Sequence, residues 1–571
     1  MVLDNADDKE VLFGANAQAP SRQSRGQELA ALIDYIPRSS IGSTLVTTRD
    51  RRVGERLMNR EKPVAVVSFE VADAKQLLRN KLPKNDEWDE AASMELLESL
   101  NFLPLAITQA AAFISEEEVS LAHYLDLLRP CDVDAKDLLE QAYYDPGRDS
   151  KIQNSIFLTW QISFDQITEQ KPRAAEILSL MAVLDGQAIS DMLLRRKDER
   201  KVNFDTAIGT LKAFSLVTEE KNEAIFNIHR LVQLSTQKWL ELQHVLVEWQ
   251  EKALNAVFAN CPLNGEFENW ATWETISPHV QVVLKYIFST EPCQLKRASI
   301  LRKASSYDRG QGQYGAAYEK GIEAQTMCQK LLGKEHPDTL ISMDNLALVL
   351  DSQGKYVKAK EMHRQVLKLR KKVLGKKHPD TLTSMSNLAS VLYSQGKYVK
   401  AEEMNQQVLK LKEKMLGKEH PDTLTSMSNL ALVLDSQGKY VKAEEMNQQV
   451  LKLKEKMLGK EHPDTLTSMN NLALVLNSQG KYVKAEEMNR QVLNLKEKVL
   501  GKEHPDTLAS MNNLASVLYS QGKYVKAEEM NRQVLKLSEK MLGKEHPNTL
   551  TSMNNLASML NEQGKCAEEM H

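Results

Sequence analysis

HPDTLTSMSNLASVLYSQGKYVKAEEMNQQVLKLKEKMLGKE, residues 378–419, is a 42-residue stretch that recurs along the chain with almost no change. A seventh, degenerate copy precedes six clear ones, because Gly312 and Tyr314 lie one period before Gly354 and Tyr356. The His-Pro element of the six clear copies stands at His336, His378, His420, His462, His504 and His546. Self-similarity at a fixed period predicts a stacked array of structural units.

Each unit has the pattern of two amphipathic helices. Pro379 suits a first helical turn, where its missing N–H is not needed, and Gly396 and Gly417 are placed to end the two helices. Apolar residues at three- and four-residue steps predict one buried face on the first helix: Leu382, Met385, Leu388, Ala389 and Leu392. A second stripe follows at Tyr398, Ala401, Met404, Val408, Leu411 and Met415.

One such helix pair cannot enclose its own apolar stripes, since a helix of about 15 residues is only about 22 Å long. Stacking on neighbouring units covers those stripes. We therefore predict a mostly α-helical chain whose C-terminal part is an α-solenoid of 42-residue helix pairs.

The repeated residues resemble a known family. Asn387-Leu388-Ala389, Gly396, Tyr398 and Ala401 fall where the tetratricopeptide repeat (TPR) pattern has its small, glycine, aromatic and alanine positions. The 42-residue spacing, the HPDTL entry and the LG exit resemble the kinesin-light-chain variety of that repeat. The resemblance covers about residues 300–571 and implies a concave groove lined by the first helices.

A protein or peptide partner is the ligand that such a groove implies. One invariant row of amides follows it, at Asn345, Asn387, Asn429, Asn471, Asn513 and Asn555. Two neighbouring rows vary: Asp351, Tyr393, Asp435, Asn477, Tyr519 and Asn561 form one, and Leu348, Ser390, Leu432, Leu474, Ser516 and Ser558 the other. We expect the asparagines, with Tyr393 and Tyr519, to contact the partner, because amides donate to and accept from a peptide backbone. The alternative is that the amides bond the neighbouring helix.

Composition limits the other classes of partner. The chain has 571 residues, a formal charge of −3 and five cysteines without a C-x-x-C spacing. This balance disfavours nucleic acid as a partner, and the cysteine spacing signals neither a disulfide framework nor a zinc site. Because no apolar run approaches a membrane span and the first residues are acidic, we expect no membrane association and a cytoplasmic protein.

The N-terminal residues resemble the NB-ARC class of signalling ATPases. Met1-Val2-Leu3 followed by Asp4 is similar to a Walker B strand, and Gly42 to Asp50 is similar to the sensor strand that ends in an arginine, here Arg49. Asn101 to Ala106 resembles the GLPLA element. The resemblance implies that Arg49 approaches the terminal phosphate, that Pro104 backs the adenine and that Asp4 contacts magnesium when the domain is complete.

A winged-helix domain follows in that family, and Ser155 to about Leu240 resembles it. His229 stands where the family has its Met-His-Asp motif, with Ile228 and Arg230 in place of the methionine and aspartate. The resemblance implies that His229 touches the β-phosphate of bound ADP; the alternative is an ordinary, partly buried histidine after a strand. Together these elements resemble fungal NLR-like (STAND) proteins.

We accordingly divide the chain into five parts. They are the C-terminal half of an α/β P-loop NTPase (NB-ARC) domain at 1–70, a helical ARC1-like domain at 71–150, a winged helix at 151–240, a helical connector at 241–299 and an array of about seven units, the last truncated, at 300–571.

The chain contains no G-x-x-x-x-G-K-[ST] loop to cradle phosphates. We therefore expect ADP or ATP with magnesium to be cofactors of the complete family member and not of this chain alone, and we expect no enzymatic activity. We also expect both ends to be cut and the chain to be a fragment. The six His-Pro histidines lie about one unit apart, too far for the ligands of one zinc ion, so we assign them to helix entry.

Three functions remain. The preferred hypothesis is an NLR-like switch whose repeats sense a partner and whose activation can involve homo-oligomerisation. The second is a pure interaction scaffold resembling kinesin light chain. The third, a winged-helix transcription regulator, requires a basic recognition helix, and Asp198 and Glu199 interrupt the basic residues between Arg195 and Lys201.

Overall fold

The computed structural model describes residues 2–3, 45–46, 57, 69–82, 89–100, 102–126, 150–220, 224–263 and 267–562. The chain forms two compact units, Met1–Thr159 and Trp160–His571. None of the helices within the described ranges is both long enough and apolar enough to cross a membrane.

Among its described residues, the first compact unit contains a parallel strand pair and three helices whose two ends are both described. Val2–Leu3 pairs with Leu45–Val46 in parallel register. Parallel strands need a crossover connection, which is typical of an α/β sheet. The helices are Val71–Lys81, Glu90–Ser99 and Pro104–Glu116, and they bury an apolar core that includes Leu78, Leu96, Leu97, Ile107 and Ile114.

The second compact unit begins with helices around a small antiparallel sheet. Strand Ile225–Ile228 is central and pairs with Ile189–Ser190 on one side and Val217–Glu219 on the other. The helices are Ser150–Gln170, Pro172–Ala182, Asp191–Leu194, Lys201–Ala213 and Arg230–Leu242. Trp160 and Phe164 stack at 4.8 Å between ring centroids and anchor the core of this region.

Two connecting helices, Leu246–Asn260 and Trp270–Leu284, lead into the array. The ring of Trp273 stacks on Tyr307 of the next helix, with centroids 5.1 Å apart. That next helix, Glu291–Gly310, runs across residue 300, where the sequence suggested that the array begins. The connecting helices therefore pack directly against the first helix of the array.

The array consists of helix pairs, as predicted. We number the units 0 to 6, with unit 1 starting at His336 and each later unit at the next His-Pro element. The first helices are Glu291–Gly310, Pro337–Ser352, Pro379–Ser394, Pro421–Ser436, Pro463–Ser478, Pro505–Ser520 and Pro547–Glu562. The second helices are Tyr314–Leu332, Tyr356–Val373, Tyr398–Leu416, Tyr440–Leu458, Tyr482–Val499 and Tyr524–Leu542.

The His-Pro element starts each first helix by a direct hydrogen bond. In unit 2 the Nδ1 atom of His378 accepts from the backbone N–H of Asp380 at 3.2 Å, and Pro379 occupies the first helical position. The same cap forms at His336, His420, His462, His504 and His546. A histidine cap satisfies one of the free N–H groups at the helix start, so helix entry explains the repeated histidine.

Apolar burial joins each unit to the next. In unit 2, Leu388, Leu392 and Ala401 are buried together with Val433 from the first helix of unit 3. The equivalent contacts place Val391, Val475, Val517 and Met559 in the cluster of the preceding unit. The predicted stripe of the first helix is buried throughout, but Met415 of the second stripe is 41% exposed because it lies in the last turn, beyond the contact with the neighbour.

The array also returns to its own beginning. The Nε2 atom of His546 in unit 6 lies 3.3 Å from the carbonyl oxygen of Gly310 in unit 0. The ring of His504 in unit 5 meets the edge of Phe267 in the preceding connector at 4.6 Å between centroids. The first contact joins units six apart, so six units complete about one superhelical turn of the array. The second contact joins unit 5 to the connector that precedes unit 0.

Truncation of Leu430 tests whether each unit depends on its neighbours for stability. Leu430 is 4% exposed and shares a cluster with Leu409 of unit 2 and Val475 of unit 4. Leu430→Ala should lower the free energy of unfolding by about 2–5 kcal/mol, as for other buried leucine truncations. Hydrogen exchange should quicken in units 2 and 4 as well as unit 3. Faster exchange confined to unit 3 would contradict a nearest-neighbour stack.

Alanine substitutions at Gly312 and Gly396 test the contact between unit 0 and unit 6. The two glycines hold equivalent positions and have φ of 73° and 71°, but an added Cβ at Gly312 would stand 2.4 Å from Cδ of Pro547, whereas the space at Gly396 is open. Alanine at either site costs about 1 kcal/mol for the left-handed backbone. Gly312→Ala should be clearly more destabilising than Gly396→Ala in chemical denaturation. Equal losses would show that unit 6 does not rest on unit 0.

Candidate partner-binding surface

The first helices leave one continuous face open to solvent. Beyond the first turn of unit 3 the exposed residues are Thr425, Asn429, Leu432 and Ser436. Their spacing of four, three and four residues places them on one side of the helix. We call the equivalent surface along all units the first-helix face. Because units 2 to 6 each expose residues on this side, a partner can contact several units at once.

Two leucines make the middle of this face apolar. Leu432 is 48% exposed and Leu474 of unit 4 is 36% exposed, whereas Leu348 at the same position of unit 1 is half-buried. Units 2, 5 and 6 carry serines there, namely Ser390, Ser516 and Ser558. Units 3 and 4 therefore form the apolar centre of the first-helix face, with polar units on either side.

The predicted asparagine row borders these leucines. Asn429 and Asn555 are exposed, and Asn345, Asn387, Asn471 and Asn513 are half-buried. Within the described residues, none of these six side-chain amides forms a hydrogen bond with another protein group. Their donors and acceptors are therefore open to solvent or to a ligand.

A second row of asparagines, which the sequence analysis did not single out, lies inside the stack. Asn405, Asn447, Asn489 and Asn531 are buried on the second helices. The Nδ2 atom of Asn447 lies 3.5 Å from the backbone carbonyl oxygen of Asn471 in the next unit. The burial of these asparagines could have been predicted, because Asn405 lies at helical spacing from the buried residues Ala401 and Val408. These buried amides face the neighbouring helix, which is the role that the alternative interpretation gave to the exposed row.

The variable row beside the asparagines is only partly accessible. Tyr393 and Tyr519 are half-buried, and their rings pack on Tyr398 and Tyr524 at 5.4 and 5.2 Å. The hydroxyl of Tyr393 shares a hydrogen bond of 2.9 Å with the Ser436 hydroxyl of the next unit. The two tyrosines therefore help to join units, and only their edges reach the first-helix face.

Asp435 and Asn477 add unpaired acceptors to the same row. The hydroxyl of Ser478 donates to Oδ2 of Asp435 at 3.4 Å, but Oδ1 of Asp435 and Oδ1 of Asn477 are buried without a partner in the described structure. Burial raises the pKa of Asp435, and the hydrogen bond from Ser478 opposes that rise only in part. Because both oxygens are buried from solvent, a ligand on the first-helix face does not reach them.

Of the predicted nucleotide site, the described structure contains Pro104 and His229. Asp4 and Arg49 lie outside the described residues. Pro104 is exposed and opens the helix Pro104–Glu116. Phe102, two residues before Pro104, has φ of 54°, a left-handed conformation that glycine adopts without strain.

His229 is exposed and caps the helix Arg230–Leu242. Its Nδ1 atom accepts from the backbone N–H of Leu231 at 3.2 Å. Only Nε2 is then free to meet a ligand. Pro104 and His229 belong to different compact units. Across the described ranges, no cluster of three or more histidine, cysteine or acidic side chains is arranged to hold a metal ion.

Two family models match the chain. The tetratricopeptide repeat model matches overlapping segments at residues 296–372, 353–414, 380–456, 455–498, 464–540 and 515–569. A domain of unknown function (DUF7779) matches residues 165–244, the region of the antiparallel sheet. The stacked helix pairs are therefore tetratricopeptide repeats, and the fold is mostly helical with a TPR solenoid in its C-terminal part.

A nucleotide-binding leucine-rich repeat (NLR)-like protein from Hyaloscypha variabilis is 39% identical over 348 residues, which are 60% of this chain and 34% of that protein. The match thus spans about a third of the relative's length.

Two solved structures are also similar to this chain. A putative kinesin light chain from Podosopora anserina with nearly identical TPR-like repeats is 33% identical, with a TM-score of 0.31, over 36% of this chain and 98% of that one. A STAND protein with a tetratricopeptide repeat sensor from Pyrococcus horikoshii is 14% identical, with a TM-score of 0.40, over 92% of this chain and 74% of that one.

Proposed function

We propose that this chain is the sensing part of an NLR-like protein and that its first-helix face binds an extended segment of a protein partner. The observation that carries the proposal is the exposed apolar pair Leu432 and Leu474, bordered by side-chain amides that have no protein partner in the described structure. Isolated exposed leucines are ordinary, but here two stand at equivalent positions of adjacent units beside unpaired polar groups.

The chemistry of the face favours an extended peptide. Asn429 and Asn471 can each donate to a carbonyl and accept from an N–H of a peptide backbone. Leu432 and Leu474 can then receive apolar side chains of the same segment. The partner is therefore a segment with apolar side chains and a free backbone.

The nucleotide part of the proposal rests on four supports. These are the parallel pairing of Val2–Leu3 with Leu45–Val46, the left-handed backbone at Phe102, the small antiparallel sheet before His229 and the similarity to an NLR-like relative. In the complete protein, ADP or ATP with magnesium would hold the module closed until the repeats bind. Asp4, Arg49, Pro104 and His229 are the residues that we assign to that site, with Asp4 toward the metal.

A pure interaction scaffold is the second candidate. The absence of a G-x-x-x-x-G-K-[ST] loop from this chain favours it, since nothing in the sequence supplies the lysine and backbone N–H groups that cradle phosphates. In both cases the first-helix face is the binding surface, so the two candidates differ only in whether nucleotide controls it.

A matched pair of variants tests the first-helix face. Leu432→Asp with Leu474→Asp should weaken a peptide selected on the full chain from a random library by at least about tenfold, because two carboxylates would be brought against its apolar side chains. The control is Leu416→Asp with Leu458→Asp, whose leucines are 38% and 39% exposed on the second helices. Asn429→Ala should also weaken binding while thermal melting stays unchanged. Equal losses in both double variants would contradict the proposal.

Nucleotide control has its own test. We expect ADP with magnesium to leave the melting temperature of this chain unchanged in differential scanning fluorimetry, because the phosphate loop is missing. If the melting temperature rises with ADP, and the rise disappears in His229→Ala, the chain holds nucleotide by itself. That result would contradict the scaffold-like behaviour that we expect of this polypeptide.

A further inference from the structure

Two rows of ion pairs join successive units through the second helices. In the first row, the lysine that precedes each second helix binds a glutamate of the preceding unit: Lys439–Glu402, Lys481–Glu444 and Lys523–Glu486, at 2.7–2.9 Å. In the second row, a lysine near the end of the second helix binds the last residue of the preceding unit: Lys372–Glu335, Lys456–Glu419, Lys498–Glu461 and Lys540–Glu503. Each row repeats with the 42-residue period.

In the described structure neither row forms at the junction of units 1 and 2, and the first row is also absent from the junction of units 0 and 1, where Lys355 lies over the ring of Tyr318. The position of Glu402 is taken in unit 1 by Lys360, and the position of Glu419 by Lys377. The lysines that need these acids, Lys397 and Lys414, are unchanged. Each of the two glutamates is thus replaced by a residue of opposite charge, and the two reversals fall at the same junction.

The replacement of glutamate by lysine changes the electrostatic environment of Lys397. Its ammonium group donates to the side-chain oxygen of Gln395 at 2.7 Å, in its own turn, instead of to a carboxylate. Loss of hydration, followed by the charges of Lys360, Lys400 and Arg364, lowers the pKa of Lys397. At the next junction the opposite holds, because the hydrogen bond from Lys439 lowers the pKa of Glu402.

The excess of positive charge extends along the whole second helix of unit 1. Residues 355–377 contain ten lysines and arginines but one glutamate. Residues 397–419 of unit 2 contain six lysines and four glutamates, and the equivalent segments of units 3, 4 and 5 also contain six basic residues and four glutamates. Arg370 is buried on Asp344 at 2.7 Å, Lys372 pairs with Glu335, and Lys355 lies over the ring of Tyr318. The rest have no acidic partner among the described residues: Lys358, Lys360, Arg364, Lys368, Lys371, Lys376 and Lys377. Lys360, Arg364, Lys368 and Lys371 follow one another at steps of four, four and three residues, which places them on one side of the helix. We call these four residues, together with Lys376 and Lys377 beyond the end of the helix, the basic strip.

We propose that the basic strip binds an extended acidic segment of a partner protein, on a surface separate from the first-helix face. Carboxylates are the favoured ligand, because in the junctions that follow the lysines of both rows bind glutamate side chains. From Lys360 to the last helical residue, Val373, the helix is about 20 Å long, and Lys376 and Lys377 follow in the turn beyond it. An extended peptide of about six residues spans the helical part of the strip. The partner's acids would supply the carboxylates that unit 1 lacks.

The missing ion pairs at the junction of units 1 and 2 cost the fold little stability. Exposed ion pairs contribute about 0–1 kcal/mol each, so their absence at one junction leaves the apolar stack intact. Val391 of unit 2 still packs against Leu350 and Ala359 of unit 1. The junction therefore remains closed while its charges are free for a ligand.

A repair variant provides the test. Lys360→Glu with Lys377→Glu recreates the residues that the later junctions carry, so the full chain should melt at the same or a slightly higher temperature. The probe is a fluorescein-labelled peptide of ten glutamates in 100 mM NaCl, followed by anisotropy. We expect the repair variant to bind it at least about tenfold more weakly than the parent chain. The control Lys452→Glu with Lys460→Glu has the same change in charge at exposed lysines of unit 3 and should change binding less than about twofold.

Replacing the glutamates of a later junction by lysines should create a second peptide-binding site. Glu444→Lys with Glu461→Lys places the unit 1 arrangement at the junction of units 3 and 4, and the stoichiometry should rise from one peptide to two. The proposal would be overturned if the parent chain showed no saturable binding of the peptide, or if the repair and control variants lost the same amount of affinity. It would also be overturned if a ten-nucleotide single-stranded RNA bound more tightly than the peptide and lost as much affinity as the peptide does in the repair variant. That result would assign the strip to a phosphate backbone instead of an acidic protein segment.

Discussion

The structure of the array depends on one repeated contact, in which the first helix of each unit inserts an apolar side chain into the cluster of the unit before it. Val433 fills the space between Leu392 and Ala401, and Val475 fills the equivalent space beside Leu434 and Ala443. No helix pair could bury these residues alone. The stability of each unit is therefore tied to its neighbours, and the order of the units fixes which faces remain open.

Two surfaces with different chemistry result from that stacking. The first helices keep a face with unpaired amides and two exposed leucines, which suits a segment bound through its backbone and apolar side chains. Two rows of ion pairs join the second helices of successive units, and neither row forms where Lys360 and Lys377 replace the glutamates. A near-identical repeat can thus carry specific recognition, because a few exposed substitutions change the surface without disturbing the buried contact.

Much of this architecture was predictable from the residues, because the period, the prolines and the helical spacing act locally. The helix pairs and the buried stripe from Leu382 to Leu392 follow from that spacing. The hydrogen bond of His378 to its own helix start was not predicted, since the histidine side chain is an uncommon cap. The contact of His546 with Gly310 depends on a small rotation at every junction, and an unvarying repeat does not encode the sum of those rotations. The nucleotide site could be predicted only by resemblance, and Asp4 and Arg49 lie outside the described residues.

The central claim is that partners bind the first-helix face, and leucine methyl NMR with a spin-labelled peptide tests it most directly. The peptide would be selected on the full chain from a random library, and the methyl signals would be assigned by single substitutions. We predict that the signals of Leu432 and Leu474 broaden first, while those of Leu416 and Leu458, equally exposed on the second helices, remain sharp. Broadening of Leu416 and Leu458 with Leu432 and Leu474 unaffected would contradict the account.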